Sequence, residues 1–107
     1  MTRWIDVCAL DDLIPDTGAC ALVGRQQIAL VCVGAGRVFA LDNFDPFSKA
    51  FVLARGIVGD KDGVPKIASP MYKQAFDLTS GRCLDDETVS VPVYPVRIQA
   101  GRVEVLL

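Results

Sequence analysis

The chain contains no histidine among its 107 residues. Histidine is the most common general base near neutral pH, and it activates the nucleophile in Ser-His and Cys-His pairs. Its absence therefore excludes these two catalytic arrangements. It also excludes zinc sites that combine cysteine and histidine ligands. We expect no autonomous active site in this chain.

Cysteine is present, but without the spacing of a metal site or a redox motif. The four cysteines are Cys8, Cys20, Cys32 and Cys83, and no two of them form a C-x-x-C pair. Cys20 and Cys32 lie in apolar runs, where an unpaired thiol usually behaves as a small buried hydrophobe. A disulfide framework is not expected in a cytoplasmic protein. We interpret all four thiols as structural; the alternative is a regulatory thiol at Cys8 or Cys83.

Long hydrophobic runs and strong charge are also missing. No apolar segment approaches the roughly 20 residues that span a bilayer, and residues 1–6 lack the apolar stretch of a signal peptide. The net charge is −2, and the basic residues are scattered between Arg3 and Arg102. This charge gives no electrostatic reason to bind nucleic acid or an anionic membrane. These features predict a cytoplasmic protein.

What the sequence does contain is a series of short apolar segments separated by turn residues, which is typical of an all-β sandwich or barrel. The run from Gln27 to Val33 is almost continuously apolar, as expected of a strand that is covered on both faces. Apolar and charged residues alternate from Arg102 to Leu107, which predicts a half-buried strand. Further strands are predicted at 4–8, 19–23, 37–42, 56–58, 66–68, 76–78, 83–84 and 93–98.

The connections are predicted from glycine, proline and acidic residues. Segment 10–17 reads as a loop with one helical turn, and 48–55 has a weakly helical pattern. No internal repeat or interdomain linker is evident, so we predict one domain, residues 1–107. Turns are predicted at 24–26, 34–36, 59–63, 79–82 and 99–101.

Three short motifs resemble known sites but lack the context that those sites require. Asp85-Asp86-Glu87 is an acidic cluster between strands, and such clusters are usually solvated turns. Gly34-Ala35-Gly36 lacks the following helix N-terminus that would bind a phosphate. Asp60-Lys61-Asp62-Gly63 is too short for a calcium loop and lacks its terminal glutamate. We therefore expect no catalytic residue, cofactor or metal in this chain.

Several segments, taken in order along essentially the whole chain, resemble the small subunits of assimilatory NAD(P)H-dependent nitrite reductases. That family belongs to the Rieske-like proteins but lacks their cluster. The resemblance implies a Rieske-like antiparallel β-sandwich or barrel with little helix and a small inserted two-loop subdomain at about 43–84. The segments that carry it are Trp4-Ile5-Asp6-Val7-Cys8, Asp11-Asp12-Leu13-Ile14-Pro15, Asn43-Phe44-Asp45-Pro46-Phe47, Val52-Leu53-Ala54-Arg55-Gly56 and Ala68-Ser69-Pro70-Met71-Tyr72-Lys73-Gln74 followed by Phe76.

A Rieske protein holds a [2Fe–2S] cluster with two cysteines and two histidines, in loops that read C-x-H and C-x-x-H. By the resemblance, the cysteine positions correspond to Asp45 and Ser69, and the histidine positions correspond to Phe47 and Tyr72. Iron in sulfide clusters needs thiolate or imidazole donors, and phenylalanine offers no donor atom. We predict that these degenerate positions hold no cluster.

The resemblance also implies a function and a partner. The chain is expected to be a noncatalytic cytoplasmic subunit that binds or stabilises a large catalytic subunit. That partner is expected to carry FAD, sirohaem and an iron–sulfur cluster and to reduce nitrite to ammonium. The candidate partner-binding residues are Phe47, Met71 and Tyr72, and for each of them internal packing is the alternative. Two other functions stay open: an electron-transfer ferredoxin with atypical ligands, and a stand-alone β-domain that binds a protein or a small molecule.

Overall fold

The computed structural model describes residues 2–34 and 36–107. Met1 and Ala35, the middle residue of the turn predicted at 34–36, lie outside the described residues. The described residues form short strands and two 3-10 turns, Leu10–Asp12 and Leu53–Arg55, which confirms the predicted all-β class. The strands are β1 (Trp4–Ala9), β2 (Thr17–Val23), β3 (Gln26–Val33), β4 (Arg37–Asp42), β5 (Phe44–Asp45), β6 (Ala50–Phe51), β7 (Ile57–Lys61), β8 (Val64–Ala68), β9 (Ala75–Asp77), β10 (Val93–Tyr94), β11 (Val96–Gln99) and β12 (Arg102–Leu106).

The strands form three layers, with a central sheet between two outer layers. This sheet has four strands in the order β10-β4-β3-β2. The three-stranded sheet β1-β12-β11 covers one of its faces. The sheet β7-β8-β9, the β5-β6 hairpin and the second 3-10 turn cover the other face. Residues 43–84 therefore form one outer layer, and this layer carries both loops of interest.

Strand β3 is buried on both faces, as its apolar run predicts. Ala29 and Val31 point towards Leu53 and the layer formed by residues 43–84. Ile28 and Leu30 point the other way, towards Val105 of β12. Successive side chains of a strand alternate between its faces, so a strand between two layers needs apolar residues at nearly every position. The same alternation holds in β12, where Val103 and Val105 are buried.

The strand predicted at 93–98 is two strands that belong to different sheets. Val93 pairs with Leu41 of the central sheet, whereas Val96 pairs with Val105 of the outer sheet. Pro95 lies between them, and proline has no N–H to donate to a ladder. The chain therefore passes from one layer to the next at this residue.

The weakly helical pattern predicted at 48–55 is wrong. Lys49 adopts a left-handed backbone conformation, with φ of 61°, which a right-handed helix does not tolerate. The segment instead forms β6 and the single 3-10 turn Leu53–Arg55. The turn predicted at 59–63 is shorter than expected, because β7 continues to Lys61 and only Asp62-Gly63 reverse the chain, both with positive φ. An Asp-Gly pair is a preferred two-residue hairpin turn.

The second 3-10 turn packs directly on strand β2. A Cβ atom placed on Gly18 would overlap the carbonyl oxygen of Ala54, so only glycine allows the two backbones to approach this closely. This contact fixes the outer layer, and hence the two loops, against the central sheet. In the described part of the chain, no helix has the length and apolarity to cross a membrane.

Candidate functional site

Two loops of the outer layer share one backbone design. The first loop, Asp45-Pro46-Phe47-Ser48-Lys49, connects β5 to β6, and the second, Ser69-Pro70-Met71-Tyr72-Lys73, leads from β8 towards β9. In each loop the first side chain accepts a hydrogen bond from the N–H two residues later, at 2.9 Å in the first loop and 3.2 Å in the second. In each loop the first carbonyl also accepts from the lysine N–H four residues later, at 2.8 and 3.0 Å.

This likeness is a short internal repeat that the sequence analysis missed. Both pentapeptides read x-Pro-x-x-Lys, and their first residues are 24 positions apart. The two lysines, Lys49 and Lys73, have φ of 61° and 64°. The shared Pro and Lys positions are the signal that would have revealed the repeat.

Asp45 and Ser69, which the resemblance aligns with cluster cysteines, are joined by a hydrogen bond. Ser69 Oγ donates to Asp45 Oδ2 at 2.5 Å, and the two residues are 1% and 0% exposed. Ser48 Oγ donates to the same oxygen at 2.8 Å, and the Phe47 N–H donates to the other oxygen at 2.9 Å. Burial raises the pKa of Asp45, but the hydrogen bonds from Ser69, Ser48 and Phe47 outweigh it and hold the pKa below its usual value. We call the Asp45–Ser69 pair the loop clip, because it ties the two loops together.

Asn43 holds the base of the first loop, a role that the sequence analysis did not assign. Its side chain is buried. Asn43 Oδ1 accepts from the Ala54 N–H at 2.7 Å, and its Nδ2 donates to Gln27 Oε1 at 3.1 Å. One side chain thus connects the first loop to the second 3-10 turn and to β3.

Phe47 and Tyr72, which the resemblance aligns with cluster histidines, do not contact each other in a comparable pair. Phe47 is partly buried and packs against the core, with its ring centroid 6.1 Å from that of Phe76. Tyr72 and Met71, by contrast, are 61% and 54% exposed. Two of the four degenerate positions therefore form the loop clip, a third packs inward, and the fourth faces solvent.

These residues do not fit a [2Fe–2S] cluster. A cluster needs thiolate or imidazole donors, whereas the Asp45 carboxylate already accepts three hydrogen bonds. Phe47 offers only carbon atoms. Across residues 2–34 and 36–107, no three side chains of the metal-binding types converge.

The acidic loop 85–87 has a structural role. Asp85 Oδ2 accepts from the Ala75 N–H at 2.8 Å, which secures the start of β9 next to the second loop. Asp86 accepts from the side chain of Thr88 at 2.6 Å. The hydrogen bonds from the Thr88 hydroxyl and N–H lower the pKa of Asp86. These contacts are those of a turn, as predicted.

None of the four cysteines is in a disulfide. Cys32 and Cys83 are buried, whereas Cys20 is exposed, so the expectation that Cys20 is buried is wrong. The reason is that β2 is an edge strand, and Ala21 and Val23 on its other face are the ones that pack in the core. Partial desolvation raises the pKa of the Cys8 and Cys20 thiols, which disfavours the reactive thiolate at neutral pH.

Comparison with known proteins gives one consistent family. The model of the Rieske-like [2Fe-2S] domain matches residues 3–106. The nitrite reductase (NADH) small subunit of Escherichia coli K12 is 42% identical over 105 residues, which are 97% of each chain. The solved NMR structure of the E. coli protein NirD has a TM-score of 0.90 at 41% identity, covering 100% of this chain and 98% of that one.

A third relative places this domain in a larger protein. The nitrite reductase [NAD(P)H] large subunit of Klebsiella oxytoca is 42% identical over 100 residues, which are 94% of this chain but only 10% of that protein. The nitrite reductase small subunits match nearly the full length of this chain at 41–42% identity, whereas the anthranilate 1,2-dioxygenase ferredoxin subunit of Burkholderia cepacia matches 98% of it at 30% identity. The chain belongs to the Rieske-like domain family and, within it, to the small subunits of NAD(P)H nitrite reductase.

Proposed function

We propose that this chain is a noncatalytic, cytoplasmic subunit that binds and stabilises the large catalytic subunit of an assimilatory NAD(P)H-dependent nitrite reductase. The partner would carry FAD, sirohaem and an iron–sulfur cluster and would reduce nitrite to ammonium. This chain would bring no cofactor, and it would bind neither nucleic acid nor a membrane.

The observation that carries the proposal is the Klebsiella relative, whose single chain contains this domain within a protein named as the large subunit. A domain that is covalently joined to a catalytic chain in one organism is expected to work beside that chain when it is encoded separately. The loop clip supports the noncatalytic role, because hydrogen bonds occupy the positions that would otherwise provide thiolate ligands.

The exposed end of the second loop is the proposed contact with the large subunit. Met71 and Tyr72 present apolar and aromatic surface next to each other, and such residues are the usual anchors of protein interfaces. Phe47 packs against the core beneath the loops, so we propose that it supports this contact by holding the first loop in place.

The test is co-purification of the separately tagged large subunit with this chain. We expect the wild-type chain to be recovered with the large subunit and to contain no iron. Met71→Ala and Tyr72→Ala should reduce the recovered fraction severalfold, because interface anchors each contribute about 1–2 kcal/mol or more. Their melting temperatures should stay close to that of the wild type, whereas Phe47→Ala should lower it.

Leu22→Ala is the matched control, since Leu22 is 70% exposed and lies on β2, outside the two loops. Failure of the wild-type chain to bind the large subunit would overturn the proposal. Stoichiometric iron with a Rieske-type paramagnetic signal would establish the electron-transfer alternative instead.

A further inference from the structure

An apolar groove lies directly beside the second loop. Its volume is about 280 Å³, and its walls include Ile57, Ala68 and Pro70. Ile57 is 72% exposed, so this wall of the groove is accessible to a partner. Lys66 and Lys73 also line this groove. The groove therefore combines an apolar wall with two cationic side chains.

The lysines of the two loops occupy positions that favour glycine. Lys49 and Lys73 both have positive φ, a conformation that costs a residue with a Cβ roughly 1 kcal/mol relative to glycine. Within residues 2–34 and 36–107, the only salt bridges are Arg97–Glu104 and Arg102–Asp6. Lys49, Lys66 and Lys73 are therefore in no salt bridge with a carboxylate of the described chain.

The positive charge of the chain is concentrated in its middle third, although the arginines are scattered along the whole sequence. All four lysines lie between residues 49 and 73. Residues 46–76 carry five Lys or Arg against two Asp, a net charge of +3, whereas the remainder carries six against eleven, a net charge of −5. The whole outer layer, residues 43–84, carries six Lys or Arg against four Asp, a net charge of +2, so it is positive on an otherwise negative protein.

We propose that this groove, which Lys66 and Lys73 line in the same layer as Lys49 of the first loop, is the docking site for a segment of the large subunit that presents an apolar side chain flanked by aspartate or glutamate. The inference rests on the proposed function and adds the chemistry of the partner surface. The groove has room for about one large side chain, and an anchor seated in a pocket supplies most of the energy of an interface. The lysines attract the flanking carboxylates, because complementary charge accelerates association and selects the partner.

The experiment measures binding of the purified large subunit to the full-length chain, by calorimetry, over a series of salt concentrations. The variants are Lys49→Gly, Lys66→Gln and Lys73→Gly, singly and together, and Ile57→Ser. We expect each single variant to weaken binding severalfold and the triple variant to weaken it by more than about tenfold, with a flatter salt dependence. We expect the melting temperatures of the two glycine variants to equal or exceed that of the wild type, since glycine suits positive φ.

Two matched controls separate charge from backbone effects. Arg25→Gln removes one positive charge from an exposed turn outside residues 46–76, and it should leave binding within about twofold of the wild type. Ala100→Gly introduces glycine at another position with positive φ, 49°, without any change in charge. It should match the stability change of the lysine variants but leave binding unchanged.

The outcomes distinguish the inference from the function on which it rests. If the wild-type chain does not bind the large subunit, the proposed function fails. If the wild type binds but the triple variant and Ile57→Ser bind equally well, the inference fails and the proposed function stands. Self-association of the wild type that the triple variant abolishes, seen by sedimentation, would identify a second copy as the occupant and would overturn the inference.

Discussion

At the scale of single residues, the loop clip joins the two loops by hydrogen bonding, at positions that the family resemblance aligns with metal ligands. A cluster would hold the two loops through its ligands, whereas here one buried carboxylate accepts a hydrogen bond across the loops and two within the first loop. The family resemblance pairs Asp45 with Ser69, because it aligns both residues with ligand positions. It did not reveal their contact, because that contact depends on the conformations of two loops that are 24 residues apart.

The loop clip is expected to contribute strongly to folding stability. Asp45→Ala should lower the free energy of unfolding by about 2–4 kcal/mol, because it leaves two hydroxyl donors and one N–H without their acceptor in a buried site. Ser69→Ala should cost about 1.5–3 kcal/mol, because it removes a hydrogen bond to a charged group. Urea denaturation of both variants and of the double variant should give a coupling energy of about 1–2 kcal/mol.

The pH dependence of the free energy of unfolding tests whether Asp45 acts as a charged carboxylate in the loop clip. Since the pKa of Asp45 is held below its value in the unfolded chain, its contribution is present above the unfolded pKa of about 3.9. The contribution is lost as the pH falls through the lower folded pKa. The stability difference between the wild type and Asp45→Ala should therefore be constant near neutral pH and shrink in acid. An equal difference at all pH values, or additive energies in the double variant, would contradict the role of the loop clip.

At the scale of elements, the regular strands could be read from the sequence and the middle of the chain could not. Strand β4 was predicted with its observed bounds, and β3 within one residue, because their burial on both faces leaves a long apolar pattern. The segment after Pro46 was mistaken for a weak helix, because nothing in its pattern shows that Lys49 has positive φ. Where tertiary contacts impose the backbone, local propensity is a poor guide.

Strand β2 and the second 3-10 turn give a test of how the outer layer is positioned. Gly18→Ala should destabilise the fold by more than about 2 kcal/mol, since its Cβ overlaps the backbone of Ala54 and the overlap can be relieved only by moving the layer. Gly59→Ala is the matched control, because its Cβ would have no atom outside its chain neighbours closer than 3.9 Å. It should be neutral or slightly stabilising by reducing the freedom of the unfolded chain.

Thermal unfolding of the two glycine variants measures this difference directly. Similar melting temperatures for Gly18→Ala and Gly59→Ala would show that the outer layer can shift away from β2 without a loss of folding stability. The two loops would then not be held rigidly by the contact between β2 and the second 3-10 turn.

At the scale of the whole molecule, the layers separate two tasks. The sheets β10-β4-β3-β2 and β1-β12-β11 form a scaffold, and the outer layer carries the positive charge, the exposed aromatic residues Phe51 and Tyr72 and the groove. Counting charges by segment would have shown this asymmetry in the sequence, whereas the net charge of −2 conceals it. The groove itself could not be predicted, because its walls come from strands β7 and β8 and from the second loop.

The occurrence of this domain inside a longer chain in Klebsiella predicts how association should depend on concentration. When the small and large subunits are separate, dilution below their dissociation constant should return the thermal stability of the large subunit to that of the large subunit alone. When this chain is fused to the large subunit by a flexible linker, the effective concentration is of the order of millimolar and does not change on dilution. The fusion should therefore keep the higher melting temperature across a thousandfold dilution, as measured by differential scanning fluorimetry.

A fusion that carries Tyr72→Ala and Ile57→Ser should lose the stabilisation at every concentration, because the linker holds the domain nearby but cannot replace its contact. Equal dilution curves for the separate and fused proteins would mean that this chain does not stabilise the large subunit by binding it.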